Sequence, residues 1–215
     1  YEDVTNIDSV GIVTARAGVN VSGGQLLVGT GVTIGVAGVA TFRSGRIDVG
    51  DHIGNTGVGR GAGDAITTGG DNVAIGEDAL TELTTGNSNV AIGYRSLDAN
   101  TTASNNTAVG KAALGANTTG ASNVAVGKDA LKANTTASGN SAFGFNAMSS
   151  NTTGDLNVAV GHNALVANTT ASNNTAVGQN ALTANTTGAS NTAVGRASLD
   201  ANTTGDQNSA LGVNA

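Results

Sequence analysis

The pattern Asn-(Val/Thr/Ser)-Ala-(apolar)-Gly recurs nine times with a fixed 17-residue period, starting at Asn72, Asn89, Asn106, Asn123, Asn140, Asn157, Asn174, Asn191 and Asn208. No insertion or deletion interrupts the series. A degenerate tenth copy starts at Asn55, where Gly57 replaces the Ala and Gly63 a later Leu. A fixed period of this length is the mark of a stacked array, in which one supersecondary unit buries its apolar face only against its neighbours. We number the unit from its Asn. Position 3 is Ala, position 4 apolar, position 5 Gly, position 9 Leu (Met148 in one copy), and positions 11 to 14 read Ala-Asn-Thr-Thr in most copies.

Two units together have the length of a helix-hairpin repeat, so that reading needs testing. Only a short stretch separates the position-5 Gly from Asn-Thr-Thr, too short for a stable helix. The unit therefore reads as β-structure. Positions 1 to 5 alternate with period two, as a short strand does. Positions 8 to 12, for example Ala130 to Asn134, read as a second short strand or extended corner, and positions 13 to 17 as the return turn. The expected fold is all-β, a parallel β-roll or solenoid of ten 17-residue rungs over residues 55–215, the first degenerate and the last truncated. At the interstrand spacing of about 4.8 Å, nine rungs make a rod of roughly 43 Å.

Each repeated residue then becomes a ladder. The position-1 Asn side chains, from Asn72 to Asn208, are expected to hydrogen-bond along the axis, because a buried unpaired amide is costly. The position-5 glycines (Gly76, Gly93, Gly110, Gly127, Gly144, Gly161, Gly178, Gly195 and Gly212) share a strand face with the position-3 Ala and admit a close backbone approach. Position-4 Val and position-9 Leu are expected to fill the interior. So thin a roll buries little apolar area per rung, which favours several parallel copies packed side by side with cyclic symmetry, three being the preferred number.

Composition agrees with a scaffold. The chain has 215 residues, 33 of them Gly, with no Pro, Cys or Trp, five aromatic residues and a net charge of -6. Without Cys there is no disulfide, thiolate nucleophile or Cys-based zinc site. Scattered basic residues in an acidic chain form no stripe for nucleic-acid phosphates, and no apolar run is long enough to insert in a membrane. Residues 1–54 differ from the rest: Gly spaces short apolar stretches such as Gly29-Thr30-Gly31-Val32-Thr33-Ile34 irregularly, which reads as a Gly-rich β-strand shaft. The chain begins at Tyr1 and ends at Ala215 within a repeat, so both ends are expected to be cuts in a larger protein.

The units Asn89-Val90-Ala91-Ile92-Gly93-Tyr94-Arg95-Ser96-Leu97 and Asn106-Thr107-Ala108-Val109-Gly110-Lys111-Ala112-Ala113-Leu114 resemble the head repeats of trimeric autotransporter adhesins, which form left-handed parallel β-rolls in trimers. With their Asn-Thr-Thr-Gly spacers they are still more similar to repeats of phage tail-fibre proteins. The resemblance covers residues 55–215. It departs from the adhesin heads in its longer period and in the lack of their neck, stalk and anchor within this chain. In the N-terminal part, Val10-Gly11-Ile12-Val13-Thr14-Ala15-Arg16 and Gly38-Val39-Ala40-Thr41-Phe42 resemble segments of cyanophage structural proteins.

Groups that carry chemistry elsewhere are sparse. His52 and His162, the only histidines, lie far apart in the chain and read as surface or rung residues rather than as part of a triad or metal site. Gly57-Val58-Gly59-Arg60-Gly61-Ala62 matches a dinucleotide fingerprint in letters, yet no long helix follows it. Gly69-Gly70-Asp71 is similar to calcium-binding roll repeats, but its Asp does not recur with the period of the unit. The Asn-x-Thr sequons at Asn100, Asn117, Asn134, Asn151, Asn168, Asn185 and Asn202 read as turn chemistry. Ranked Thr pairs, from Thr84-Thr85 to Thr203-Thr204, raise an ice-binding alternative, although adjacent Thr in extended chain point oppositely.

The reading is therefore a non-enzymatic segment of a trimeric phage tail fibre, with no catalytic residue, metal or cofactor. Its partners are its own copies, other virion tail proteins and, indirectly, a host-cell receptor, with no binding residue assigned. The alternatives are the head of a bacterial trimeric surface adhesin and an ice-binding solenoid.

Overall fold

The structure, a computed structural model, describes residues 54–215. The shaft expected over residues 1–54, apart from Gly54, lies outside the described residues, as does His52. Among the described residues there are ten strands of three residues each: β1 (Thr56–Val58), β2 (Val73–Ile75), β3 (Val90–Ile92), β4 (Thr107–Val109), β5 (Val124–Val126), β6 (Ser141–Phe143), β7 (Val158–Val160), β8 (Thr175–Val177), β9 (Thr192–Val194) and β10 (Ser209–Leu211). They form one parallel sheet in sequence order, each strand paired with its equivalent one repeat further on, as in Val124 opposite Ser141 and Ala125 opposite Ala142. Residues 54–215 form a β-solenoid with one strand per rung.

The second strand expected at positions 8 to 12 is absent among the described residues. Instead, positions 7, 9 and 17 take left-handed backbone angles, as at Asp129 (φ 58°), Leu131 (φ 49°) and Ser122 (φ 58°). A left-handed residue every few positions folds the chain back on itself within a single rung, which a second extended stretch would prevent. The conformation costs about 1–2 kcal/mol at a non-glycine residue. At position 9 the complete burial of Leu80, Leu97, Leu114, Leu131, Leu165 and Leu182 contributes a comparable or larger amount, about 1.5–3 kcal/mol per side chain. The inter-rung hydrogen bonds also run on through the turns: Leu131 N donates to Ala147 O at 3.1 Å, Asp129 N to Lys111 O at 3.0 Å and Thr118 N to Thr135 O at 2.9 Å. Each rung is thus fastened to its neighbours all round, and the turns are as repetitive as the strand.

Orientation of the strand reverses one expectation. Ala at position 3 is the inward residue, fully buried in Ala91, Ala108, Ala125, Ala142, Ala159, Ala176 and Ala193, whereas position 4 faces out, with Ile75 38%, Phe143 42% and Val160 37% exposed. The interior is filled by the alanines at positions 3 and 8, the leucine at position 9 and buried Asn. Strand neighbours point to opposite faces, so an interior wide enough only for Ala at position 3 sends the β-branched residue at position 4 outside.

A two-rung alternation is superposed on the 17-residue period. From Gly86 to Gly188, position 15 reads Gly86, Ala103, Gly120, Ala137, Gly154, Ala171, Gly188. In the Gly rungs the N–H groups of both Thr residues reach one carbonyl, as Thr152 N and Thr153 N do to Thr169 O at 2.8 and 3.3 Å, whereas Thr135 alone donates to Thr152 O at 3.1 Å. A Cβ placed on Gly154 would overlap the carbonyl oxygen of Ala171 and stand 2.7 Å from Asn151 Oδ1. Gly154→Ala would put three Ala in consecutive rungs, and it is expected to cost about 1–3 kcal/mol by overpacking, seen as a lowered urea midpoint. Ala137→Gly, which relieves no clash, should change stability by less than about 1 kcal/mol.

Candidate functional site

Two buried asparagine ladders and one glycine ladder hold the rungs in register. At position 1, Asn123 N donates to Asn106 Oδ1 at 2.9 Å, Asn123 Oδ1 accepts the N–H of Asn140 at 2.9 Å, and Asn123 Nδ2 donates to Ala137 O at 2.8 Å. The N–H to Oδ1 bond repeats without a gap from Asn72 to Asn208. One side chain thereby joins two rungs through Oδ1 and closes its own rung through Nδ2. Contacts between the amides themselves are longer and occur only at some steps, for example 3.3 Å from Asn106 Nδ2 to Asn89 Oδ1.

The second ladder was not anticipated from the sequence. At position 12, Asn134 Nδ2 donates to Asn117 Oδ1 at 2.8 Å and to Ala137 O at 3.0 Å. The position-15 carbonyl therefore accepts from both ladders and uses both lone pairs. Its signal was present: Asn at position 12 recurs in seven consecutive copies from Asn100 to Asn202. These are the Asn residues of the sequons, and six of the seven, Asn100 to Asn185, are completely buried. At position 13 the Thr hydroxyl points along the axis, as Thr118 Oγ1 to Thr135 O at 3.0 Å, and in most copies it is partly buried. Position-14 Thr is exposed, so each rung shows the solvent one rank of free hydroxyls rather than two.

The glycine ladder has one requirement. From Gly76 to Gly212 φ lies between +129° and +138°, and a Cβ on Gly127 would overlap the carbonyl oxygen of Gly144 and stand 2.6 Å from its carbon. Only a residue without a side chain fits there.

The groups considered for chemistry are scattered. Among the described residues no three His, Asp or Glu side chains lie close enough to hold a metal ion. His162 is exposed and stacks on Phe145, with centroids 5.4 Å apart. The Gly57–Ala62 stretch is the end of β1 and the turn after it, with no helix following. Asp71 is exposed. Arg60 pairs with Glu77, and Arg95 Nε lies 3.4 Å from Asp98. Burial raises the Asp98 carboxyl above its ordinary value, opposed by the Arg95 guanidinium.

What remains is the outward face of the sheet. Positions 2 and 4 are Thr, Val, Ile, Ser, Phe or Leu in every strand but none is charged, over ten consecutive rungs. Past the position-5 Gly the surface changes: position 6 carries Tyr94, Lys111, Lys128 and Phe145 in successive rungs, with Lys111 Nζ 5.5 Å from the Tyr94 ring centre and Lys128 Nζ 5.2 Å from that of Phe145. The uncharged strip is thus bordered by solvated residues. No family model, curated protein or solved structure matches the chain. No described helix is long and apolar enough to cross a membrane.

Proposed function

We propose that this solenoid is a structural segment of a trimeric phage tail fibre, carried on the virion, which holds a host-receptor-binding part away from the particle. The observation that carries the reading is the uncharged, half-exposed strip formed by positions 2 and 4 along the whole sheet. A strip of this length in water favours association, and identical repeats offer the same complement to another copy at every rung. Parallel copies closed by cyclic symmetry cover the strip without leaving an open end for further growth. Three chains is the number found in the proteins that the repeats resemble. In this reading the segment is not an enzyme, takes no cofactor, and meets the receptor only through what it supports.

Further support comes from the regularity of the rungs, since uniform ladders build length more readily than they build a recognition site. The ice-binding alternative is weakened by the Thr geometry, because the position-13 hydroxyl is engaged by the next rung. Gold-labelled antibody against residues 54–215, applied to the parent particle and viewed by electron microscopy, should decorate the tail appendages. Decoration of a bacterial envelope instead would move the assignment to a surface adhesin.

A further inference from the structure

The outward strip has one exception near its middle. Position 4 is Val or Ile in eight of ten strands, and Phe143 and Leu211 are the two residues there that are not β-branched. Position 2 is Val or Thr in eight strands and Ser in the other two. Those two are Ser141 and Ser209, beside Phe143 and Leu211 on the same strands. Residues two apart in a strand share a face, so the two strands that depart from a β-branched residue at position 4 are the same two that carry the small Ser at position 2, whereas Ile75 and Ile92 stand beside Val73 and Val90. A surface facing only water has no volume to conserve, whereas a surface packed against a neighbour does.

We propose that Phe143, with the space left by Ser141, is a key that sets the register between copies of this chain. The proposal rests on the oligomer reading above and gives that interface a specific task. Identical rungs leave a parallel bundle nearly degenerate: sliding one chain by a single rung, about 4.8 Å along the axis, again sets Val against Val and uncovers only an end rung. Register is weakly specified wherever the pairing pattern repeats. Cyclic symmetry places equivalent residues at equal height, so the Phe143 rings meet one another and occupy the room beside the Ser141 side chains. In a bundle slipped by one rung, Phe143 is forced against Val126 or Val160 of a neighbour, and the gap at Ser141 stays empty. The same sequence thus carries mostly uniform rungs for length, with the rung of β6, whose Phe143 is the one aromatic residue on the strip, for alignment, and β10 as a second departure in the last rung.

Because the chain lacks Cys, introduced cysteines report height directly. A disulfide needs its Cα atoms within about 7 Å, and a one-rung offset adds about 4.8 Å of axial separation. Chains carrying Val109→Cys and chains carrying Val126→Cys are mixed, refolded together and oxidised, and the linked peptides are counted by mass spectrometry. With Phe143 in place, links 109–109 and 126–126 are expected, with few 109–126 links. In the Ser141→Val/Phe143→Val background, whose rung copies that of β7, the 109–126 share should rise at least tenfold while the oligomer mass is unchanged. Moving the key one rung, with Val158→Ser/Val160→Phe added to that background, should restore the same-height links alone. An unchanged 109–126 share after removal of Phe143 overturns the proposal, as does an oligomer that forms no same-height link with Phe143 present. Monomeric mass with no intermolecular link in any sample overturns the oligomer reading itself.

Discussion

Asn123→Asp is expected to turn a solenoid joint into an acid-dependent one. Asn123 sits fully buried between Asn106 and Asn140, accepting the N–H of Asn140 through Oδ1 and donating through Nδ2 to Ala137 O at 2.8 Å. An Asp of the same shape keeps the first bond. Its second oxygen then faces the Ala137 carbonyl, acceptor against acceptor, unless it carries a proton to donate. Burial and this contact both penalise the charged form, so its folded pKa lies well above the ordinary carboxylate value of about 3.9. A group raised on folding stabilises below its unfolded pKa, and that contribution is lost as pH rises through the folded pKa. The variant should approach wild-type stability near pH 3.5 and fall short by about 3–5 kcal/mol at pH 7, the cost of a buried unpaired charge. Urea titrations of both proteins at the two pH values measure this; an equal deficit at both would refute the assigned roles of Oδ1 and Nδ2. Asn123→Leu, which orphans the Asn140 N–H, should lose about 1–3 kcal/mol with no comparable pH dependence.

Gly127→Ala is expected to be among the most disruptive single-methyl changes in the described rungs. Its φ of +136° is one that side chains rarely adopt, and the added carbon meets backbone, the Gly144 carbonyl, rather than a side chain that can swing away. Strain of about 1–3 kcal/mol and overpacking of a similar size point to a loss of about 3–5 kcal/mol. Ala125→Gly, two residues earlier on the buried face, should cost only about 1 kcal/mol. Thermal unfolding of the two variants side by side would show the ranking, and equal midpoints would mean that the glycine ladder is not under constraint.

Both predictions stand on ladders that the repeat alone made legible. A 17-residue period, with the same Asn and the same Gly in nine copies, led to a parallel β-solenoid and to the residues at its joints. Three features were not legible, each for a physical reason. Period-two alternation tells which residues share a face but not which face is inside; bulk alone places Val at position 4 within, whereas the strand's inward position 3 is Ala in every regular rung. The left-handed angle at Leu131 contradicts local preference, since the stacking of neighbouring rungs imposes it, whereas Asp129 is of a type that adopts that region more readily. Asn at position 12 recurs in seven consecutive copies against nine for position 1, but its place before Thr-Thr suggests a turn, and only the closed rung shows its amide turned inward. The outward face of the sheet, on which the functional proposal rests, was therefore hidden until the strand's orientation was known.

That face makes the central claim testable in one measurement. Sedimentation equilibrium of the 215-residue chain, whose mass is 20.7 kDa, should give three times the chain mass at micromolar concentration. A stable, folded species with the mass of a single chain would contradict the account.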